Sequence, residues 1–123
     1  MYDHIGLKVK NLDAAVRFYA TALAPLGHVL CTKEDSYAGL GPKAEPGLWL
    51  YAAKDAGGSG VHVALRARDR AAVDRFHKEG LKAGGRDNGG PGVRADYSPN
   101  YYAAFLLDPD GNNVEAVFMK WPS

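Results

Sequence analysis

Two histidines and one glutamate are the side chains of this chain best suited to chemistry. His4 opens the segment His-Ile-Gly-Leu-Lys-Val-Lys-Asn, and His62 opens His-Val-Ala-Leu-Arg-Ala-Arg-Asp 58 residues later. Glu115 lies within Val-Glu-Ala-Val-Phe, where a carboxylate is costly to bury unless it is paired or bound to a metal. Two imidazoles and one carboxylate are a ligand set for a divalent ion that leaves coordination positions open for water or substrate.

Such an ion would act as a Lewis acid. It would polarise a carbonyl or phosphoryl oxygen, stabilise an enolate or oxyanion, or hold oxygen beside a substrate. The three residues by themselves do not indicate which of these reactions takes place. Glu115 is also expected to be required for catalysis, because the neutral amide of a Gln is a weaker metal ligand. The alternative is that all three side chains are simply solvated on the open face of an antiparallel sheet.

An internal repeat makes the two histidines equivalent. The register continues without a gap, so that Ala14 aligns with Ala72 and Phe18 with Phe76. A duplicated strand and helix imply two modules related by a pseudo-twofold axis. A module of about 60 residues is marginal alone, so the two are expected to share a core or a sheet.

Hydrophobic periodicity predicts the elements of each module. Residues 2–10 alternate as a strand, Asn11 is a helix N-cap, and three short strands follow before residue 55. The second half repeats this order, with Asp69 as the cap. We therefore predict an α+β fold of two tandem β-α-β-β-β modules that form a curved mixed sheet around a central cleft. The predicted single domain, 1–123, consists of modules 1–55 and 61–123 and a Gly-rich linker, 56–60.

Strand parity predicts which side chains face the cleft. His4, Trp49, His62 and Glu115 all point away from the predicted helices. The Gly-rich segment 89–102 is predicted to be a connection that shapes the substrate end of the cleft, or else an ordinary surface loop with aromatic packing. Trp49 and Tyr51 would form an apolar wall or pack in a dimer interface. The predicted substrate-binding residues are Trp49, Tyr51, Arg94, Tyr97, Asn100 and Tyr101.

Composition limits the classes of partner. The net charge is +1 without a run of Lys or Arg, which argues against nucleic acid and anionic membranes and favours a small-molecule substrate. Cys31 is the only cysteine, so a Cys-rich metal site is excluded. There is no room for a signal peptide before the first strand and no apolar stretch of about 20 residues, so a cytoplasmic location is expected. His28 and His77 are expected to be exposed to solvent.

The sequence resembles the vicinal oxygen chelate superfamily, which includes glyoxalase I, extradiol dioxygenases and bleomycin-resistance proteins. The resemblance spans the chain and rests on four stretches: Asp3-His-Ile-Gly-Leu-Lys-Val9, Arg17-Phe-Tyr19, Gly60-Val-His-Val-Ala64 and Phe105-Leu-Leu-Asp-Pro-Asp-Gly-Asn-Asn-Val-Glu115. It implies that His4, His62 and Glu115 hold a divalent ion, either Mn, Ni, Zn, Co or Fe(II). Exposed sheet edges and the wall around Trp49 separately predict a homodimer. Since members of the resembled superfamily assemble their clefts within one chain or across two, the ligand set would lie either within one chain or split across two.

Departures from the family pattern narrow the expected activity. Trp49 stands where glyoxalase I carries a fourth ligand, a Glu, which argues against lactoylglutathione lyase activity. Gly6 and the segment 98–102 depart from the fosfomycin-inactivating enzymes. The expected function is that of a metal-dependent lyase, isomerase, transferase or dioxygenase acting on a small oxygen-bearing substrate by chelation. The alternative is a metal-independent protein that sequesters a drug or metabolite, as bleomycin-resistance proteins do.

Overall fold

The computed structural model describes residues 1–56 and 60–120, so part of the predicted linker, 57–59, and residues 121–123 lie outside the described residues. The first module contains β1 (Ile5–Val9), α1 (Leu12–Leu23), a 3₁₀ turn (Ala24–Leu26), β2 (Val29–Lys33), β3 (Tyr37–Gly41) and β4 (Leu48–Ala52). The second contains β5 (His62–Arg66), α2 (Arg70–Lys82), β6 (Arg86–Val93), β7 (Tyr102–Leu107) and β8 (Asn113–Phe118). The predicted α+β class and module order are confirmed.

Each module forms its own four-stranded mixed sheet. The strand orders are β1-β4-β3-β2 and β5-β8-β7-β6. In both sheets the first strand pairs in parallel with the last, and the remaining pairs are antiparallel. β1 and β5 are therefore edge strands of separate sheets. His4 directly precedes β1, and His62 is the first residue of β5.

Equivalent caps start the two helices, as the repeat predicts. The Asn11 side chain accepts a hydrogen bond from the Ala14 N–H at 2.9 Å, and the Asp69 side chain accepts one from the Ala72 N–H at 2.8 Å. Each cap satisfies a free N–H at the helix start and contributes about 1 kcal/mol. Neither helix is long and apolar enough to cross a membrane, and the same holds for every helix within residues 1–56 and 60–120.

The two modules share one core through their helices. α1 packs against α2, and the apolar faces of both sheets join the same buried cluster. Gly80 lies at this contact, where a Cβ would be 3.2 Å from the Cβ of Ala22 on α1; within its own module the same Cβ would lie 2.3 Å from Cδ1 of Leu106. The face of each sheet opposite its helix is consequently turned away from the shared core. His4 and His62 lie on these two outward faces.

A buried hydrogen bond ties α1 to the β7–β8 hairpin. The hydroxyl of Tyr19 donates to Oδ2 of Asp108 at 2.5 Å, and Oδ1 of Asp108 accepts the N–H groups of Asp110 and Asn112 at 2.9 and 2.8 Å. Burial first, and then the Asp108 carboxylate, raise the pKa of Tyr19 far above its usual value, so the hydroxyl remains a donor. The hairpin that leads to Glu115 is thereby anchored to the other module.

The segment after α2 differs from its prediction. Residues 89–102 were expected to be a connection, but Arg86–Val93 is strand β6. Within the part of the chain that the structure describes, β6 pairs with β7 alone, and its register shifts on both sides of Gly89. An edge strand tolerates Gly and Pro because one side of its backbone needs no partner. The loop is therefore confined to residues 94–101.

The expected exposure of His28 and His77 is wrong. The His77 side chain is only 13% exposed and its Nε2 lies 2.9 Å from Oδ1 of Asp87. His28 is half-buried beside an apolar cavity of about 170 Å³, and its Nδ1 is buried without a hydrogen-bond partner among the described residues. The sequence did not show that β6 covers His77 on α2, or that His28 lies where the two modules pack together.

Candidate metal centre

The second module brings His62, Glu115 and Tyr101 together. β5 and β8 are parallel neighbours, and Val114 and Ala116 point into the core, so Glu115 points to the outer face. His62 Nε2 lies 2.7 Å from Oε1 of Glu115, and the Tyr101 hydroxyl donates to Oε2. Although it lies on the outer face, Glu115 is only 1% exposed. Each carboxylate oxygen thus has its own partner.

The Tyr101 hydroxyl is held in its protonated form. Burial first, and then the hydrogen bond to Glu115, raise the pKa of Tyr101 well above its usual value. The phenol therefore remains a hydrogen-bond donor to Glu115. Tyr97 packs edge-on against the Tyr101 ring with centroids 5.0 Å apart, while Tyr97 itself is 67% exposed.

His4 lies on the outer face of the first module, just before β1. Its Nδ1 is 2.7 Å from Oδ1 of Asp3, and its side chain is 53% exposed. In the tautomer in which Nδ1–H donates to Asp3, the other nitrogen, Nε2, presents its lone pair, as in many metal-bound histidines. Asp3 was not among the predicted site residues. Its position directly before His4 was the signal that would have revealed it.

The predicted aromatic wall shares the face of His4. Trp49 lies against Gly39, where an added Cβ would be 2.9 Å from the indole, and Tyr51 lies against Gly6 with the same separation from its ring. The ring of Tyr37 lies 6.1 Å from that of Trp49. The two glycines leave space for the aromatic rings to lie close to the sheet.

Phe105 links the remaining predicted residue Arg94 to the centre. Phe105 is directly opposite Glu115 in the β7–β8 register, and its ring centroid lies 6.3 Å from that of His62. The guanidinium carbon of Arg94 lies 5.3 Å from the Phe105 centroid. Phe105 was not predicted as a site residue, because the cross-strand register that places it beside Glu115 is not visible in the sequence.

Asn100 is the predicted residue with the least connection to the centre. It is exposed in the turn between β6 and β7, where its backbone N–H donates to Oγ of Ser98 at 3.4 Å. The structure gives its side chain no role at Glu115.

The described residues of one chain do not assemble the full predicted ligand set. Within residues 1–56 and 60–120, no group of three or more His, Cys, Asp or Glu side chains is arranged to hold a metal ion. His62 and Glu115 are a donor pair of suitable chemistry, and His4 is an oriented imidazole on the outer face of the other module. These donors fit a divalent ion by type, but the three-ligand site stays a prediction.

Comparison with known proteins decides the family. The family model of the Glyoxalase/Bleomycin resistance protein/Dioxygenase superfamily matches residues 2–116. The chain belongs to this superfamily. That membership confirms the resemblance found in the sequence, and it covers both modules.

Solved structures agree with this superfamily assignment. A glyoxalase/bleomycin resistance protein from Albidiferax ferrireducens T118 is 25% identical with a TM-score of 0.81, over 95% of this chain and 97% of that one. A glyoxalase-related enzyme from Fulvimarina pelagi is 18% identical with a TM-score of 0.77, over 96% and 88%, and supports the fold alone. A glyoxalase I mutant from Zea mays is 25% identical with a TM-score of 0.71, over 94% of this chain but 43% of that one. No curated protein matches the sequence significantly.

Proposed function

We propose that this superfamily member is a metal-dependent enzyme that acts on a small oxygen-bearing substrate by chelation. The observation that carries the proposal is the buried Glu115 carboxylate, which meets His62 at one oxygen and Tyr101 at the other. Burying a carboxylate costs several kcal/mol before its partners compensate, and an apolar residue would fill the same position without that cost. A metal ligand is the role that explains a carboxylate there.

We further propose that the enzyme is a homodimer whose metal site is shared. His4 of one subunit would join His62 and Glu115 of the other. This arrangement is supported by the outward direction of both faces and by the edge strands β1 and β5, whose open sides are suited to pairing between chains. A twofold dimer would then contain two equivalent sites.

The residues of the chain have separate roles in this proposal. His4, His62 and Glu115 would hold the ion, with Asp3 and Tyr101 fixing the orientation of their ligand atoms. Trp49 and Tyr51 would limit access of water from the other side of the cleft. When bound, a divalent ion such as Mn, Ni, Zn, Co or Fe(II) supplies Lewis acidity that polarises two substrate oxygens.

Subunit mixing tests the proposal directly. His4→Ala and the double variant His62→Ala/Glu115→Ala should each bind no Ni²⁺ or Zn²⁺ in calorimetric titrations of tag-free protein. In a mixed dimer, one of the two sites has no substituted ligand. It takes His4 from the double-variant subunit, and His62 and Glu115 from the His4→Ala subunit. We therefore expect the mixture to regain one ion per mixed dimer.

Two outcomes of this experiment would contradict the shared metal site. A ligand set within one chain would give no recovery on mixing, and unaltered binding by both variants would exclude the three ligands altogether. Circular dichroism of each variant separates loss of the ligands from loss of the fold, and sedimentation equilibrium checks that the mixed species is a dimer.

The aromatic wall supports a second candidate function, the sequestering of a small molecule. Tyr37, Trp49 and Tyr51 form a surface suited to a flat ligand, as a sequestering protein would need. In that case ligand affinity would depend on the wall and would not depend on metal.

A further inference from the structure

We infer that the small molecule bound at this site carries a carboxylate and that Arg94 is the residue that binds it. The inference rests on the proposed function, because it places the carboxylate of the substrate on the same sheet face as the proposed metal ligands. It adds the substrate class, a small organic acid, which nothing in the family assignment specifies.

Among the described residues, Arg94 is a cation without a fixed counterion. No carboxylate in residues 1–56 or 60–120 forms an ion pair with it. Its Nη2 donates to the carbonyl of Gly90 at 2.7 Å, and its guanidinium carbon lies over the Phe105 ring. A guanidinium has five N–H donors, and none of those of Arg94 is buried without a partner, so the remaining donors reach solvent.

The backbone of β6 is shaped to seat this guanidinium. A Cβ at Gly89 would lie 3.2 Å from Nη2 of Arg94, and a Cβ at Gly92 would lie 3.1 Å from Nη1. Both separations are tighter than ordinary contact, so a side chain at either position would push the guanidinium aside by a few tenths of an ångström. Gly89 also has φ +144, which disfavours any other residue. The Gly-rich composition of this edge strand thus has a specific consequence for Arg94.

The seat lies close to the proposed metal ligands. Arg94 covers Phe105 on β7, and Phe105 faces Glu115 on the adjacent strand β8. Neighbouring strands are about 4.8 Å apart, so a group bound by Arg94 lies roughly 5 to 10 Å from the Glu115 carboxylate. The backbone N–H of Arg94 also donates to the carbonyl of Tyr101 at 2.7 Å, which joins the seat to the residue that holds Glu115.

These dimensions select a compact substrate. Chelating oxygens at one end and a carboxylate at the other would span the distance between Glu115 and Arg94 in a molecule of one short chain or one ring. A carboxylate matches the planar fork of Arg in a bidentate pair, whereas a neutral amide does not. A purely structural Arg94, held by Phe105 and Gly90, would make no such distinction.

The test measures binding of benzoate to the metal-free protein in a buffer that contains neither a chelator nor another carboxylate. The NMR signal of the Arg94 Nε–H reports the binding. Benzoate should bind saturably, and benzamide at least tenfold more weakly, because hydrogen bonds to a charged partner are the stronger class. Arg94→Gln should weaken benzoate binding at least tenfold, measured with 4-fluorobenzoate by ¹⁹F NMR. Arg94→Lys should retain only part of the affinity.

Arg86→Gln is the matched control, since Arg86 begins the same strand and the substitution removes the same charge. Benzoate affinity should survive it. The inference is overturned if benzoate fails to bind the wild-type protein, if benzamide binds as well as benzoate, or if Arg94→Gln and Arg86→Gln behave alike.

A Zn²⁺ titration of Arg94→Gln separates this inference from the proposed function. Zn²⁺ affinity should equal that of the wild-type protein. If the wild-type protein binds benzoate through Arg94 but binds no metal, the proposed function fails and the carboxylate seat stands. If metal binds through His62 and Glu115 while benzoate ignores Arg94, the reverse holds.

Discussion

Tyr101 and Glu115 are joined by a hydrogen bond from the phenol to Oε2, on the side of the carboxylate opposite His62. Tyr101 ends the loop after β6, and Glu115 lies in the middle of β8. The loop therefore reaches back over the sheet and fixes one carboxylate oxygen, which leaves Oε1 directed at His62. Partners of this kind hold a ligand atom in its binding orientation before the ligand arrives.

Tyr101→Phe should weaken divalent metal binding about 10- to 100-fold, because the carboxylate loses the donor that orients it. Isothermal titration with Zn²⁺ or Ni²⁺ measures the change. Tyr97→Phe is the control, since Tyr97 packs against Tyr101 but is largely exposed. Equal affinities for Tyr101→Phe and wild type would remove Tyr101 from the site.

Glu115→Gln separates an enzyme from a sequestering protein. If the site turns over substrate, the variant should lose product formation with any responsive substrate, because an amide is a weaker metal ligand than a carboxylate. A ligand from a thermal-shift screen, measured for affinity and conversion with and without chelator, provides the assay. Tight binding that ignores both chelator and Glu115→Gln, without product, would favour the sequestering function.

Tyr19→Phe should lower the free energy of unfolding by about 2 kcal/mol, because it removes a buried hydrogen bond to a charged group. Urea denaturation measures the loss. Tyr102→Phe is a matched control: its hydroxyl also donates to a carboxylate, Oδ1 of Asp74 at 2.6 Å, but that bond is exposed and should contribute less than about 1 kcal/mol. Equal losses in the two variants would contradict the anchoring role of Tyr19.

His28 should make stability depend on pH in the weakly acidic range. Burial lowers the pKa of His28 below 6.5, so the unfolded chain takes up this proton more readily than the folded chain. The free energy of unfolding therefore falls as pH drops below about 6.5. His28→Leu removes this contribution, and its stability relative to wild type should rise between pH 8 and pH 5.5. A constant difference across that range would contradict it.

Much of the local structure was predictable because its causes are local. Asn11 and Asp69 cap their helices through side chains three residues from their donors. Alternation along β8 correctly directed Glu115 away from the core, because successive strand residues point to opposite faces. The module order implied a strand after α2, but its position was not predicted, because the Gly and Pro residues of β6 are poor strand formers and its pairing with β7 cannot be read from the local sequence.

The sequence by itself determined the repeat, the two caps, the face that each candidate ligand occupies and, through its motifs, the superfamily. The tertiary structure decided how the two modules pack. Packing of α1 on α2 joins the modules through their helices and leaves His4 on the outward face of one sheet and the His62–Glu115 pair on the outward face of the other. Such long-range packing depends on the shapes of residues far apart in the chain, whereas caps and strand parity depend on neighbours, and only the latter can be followed along a sequence.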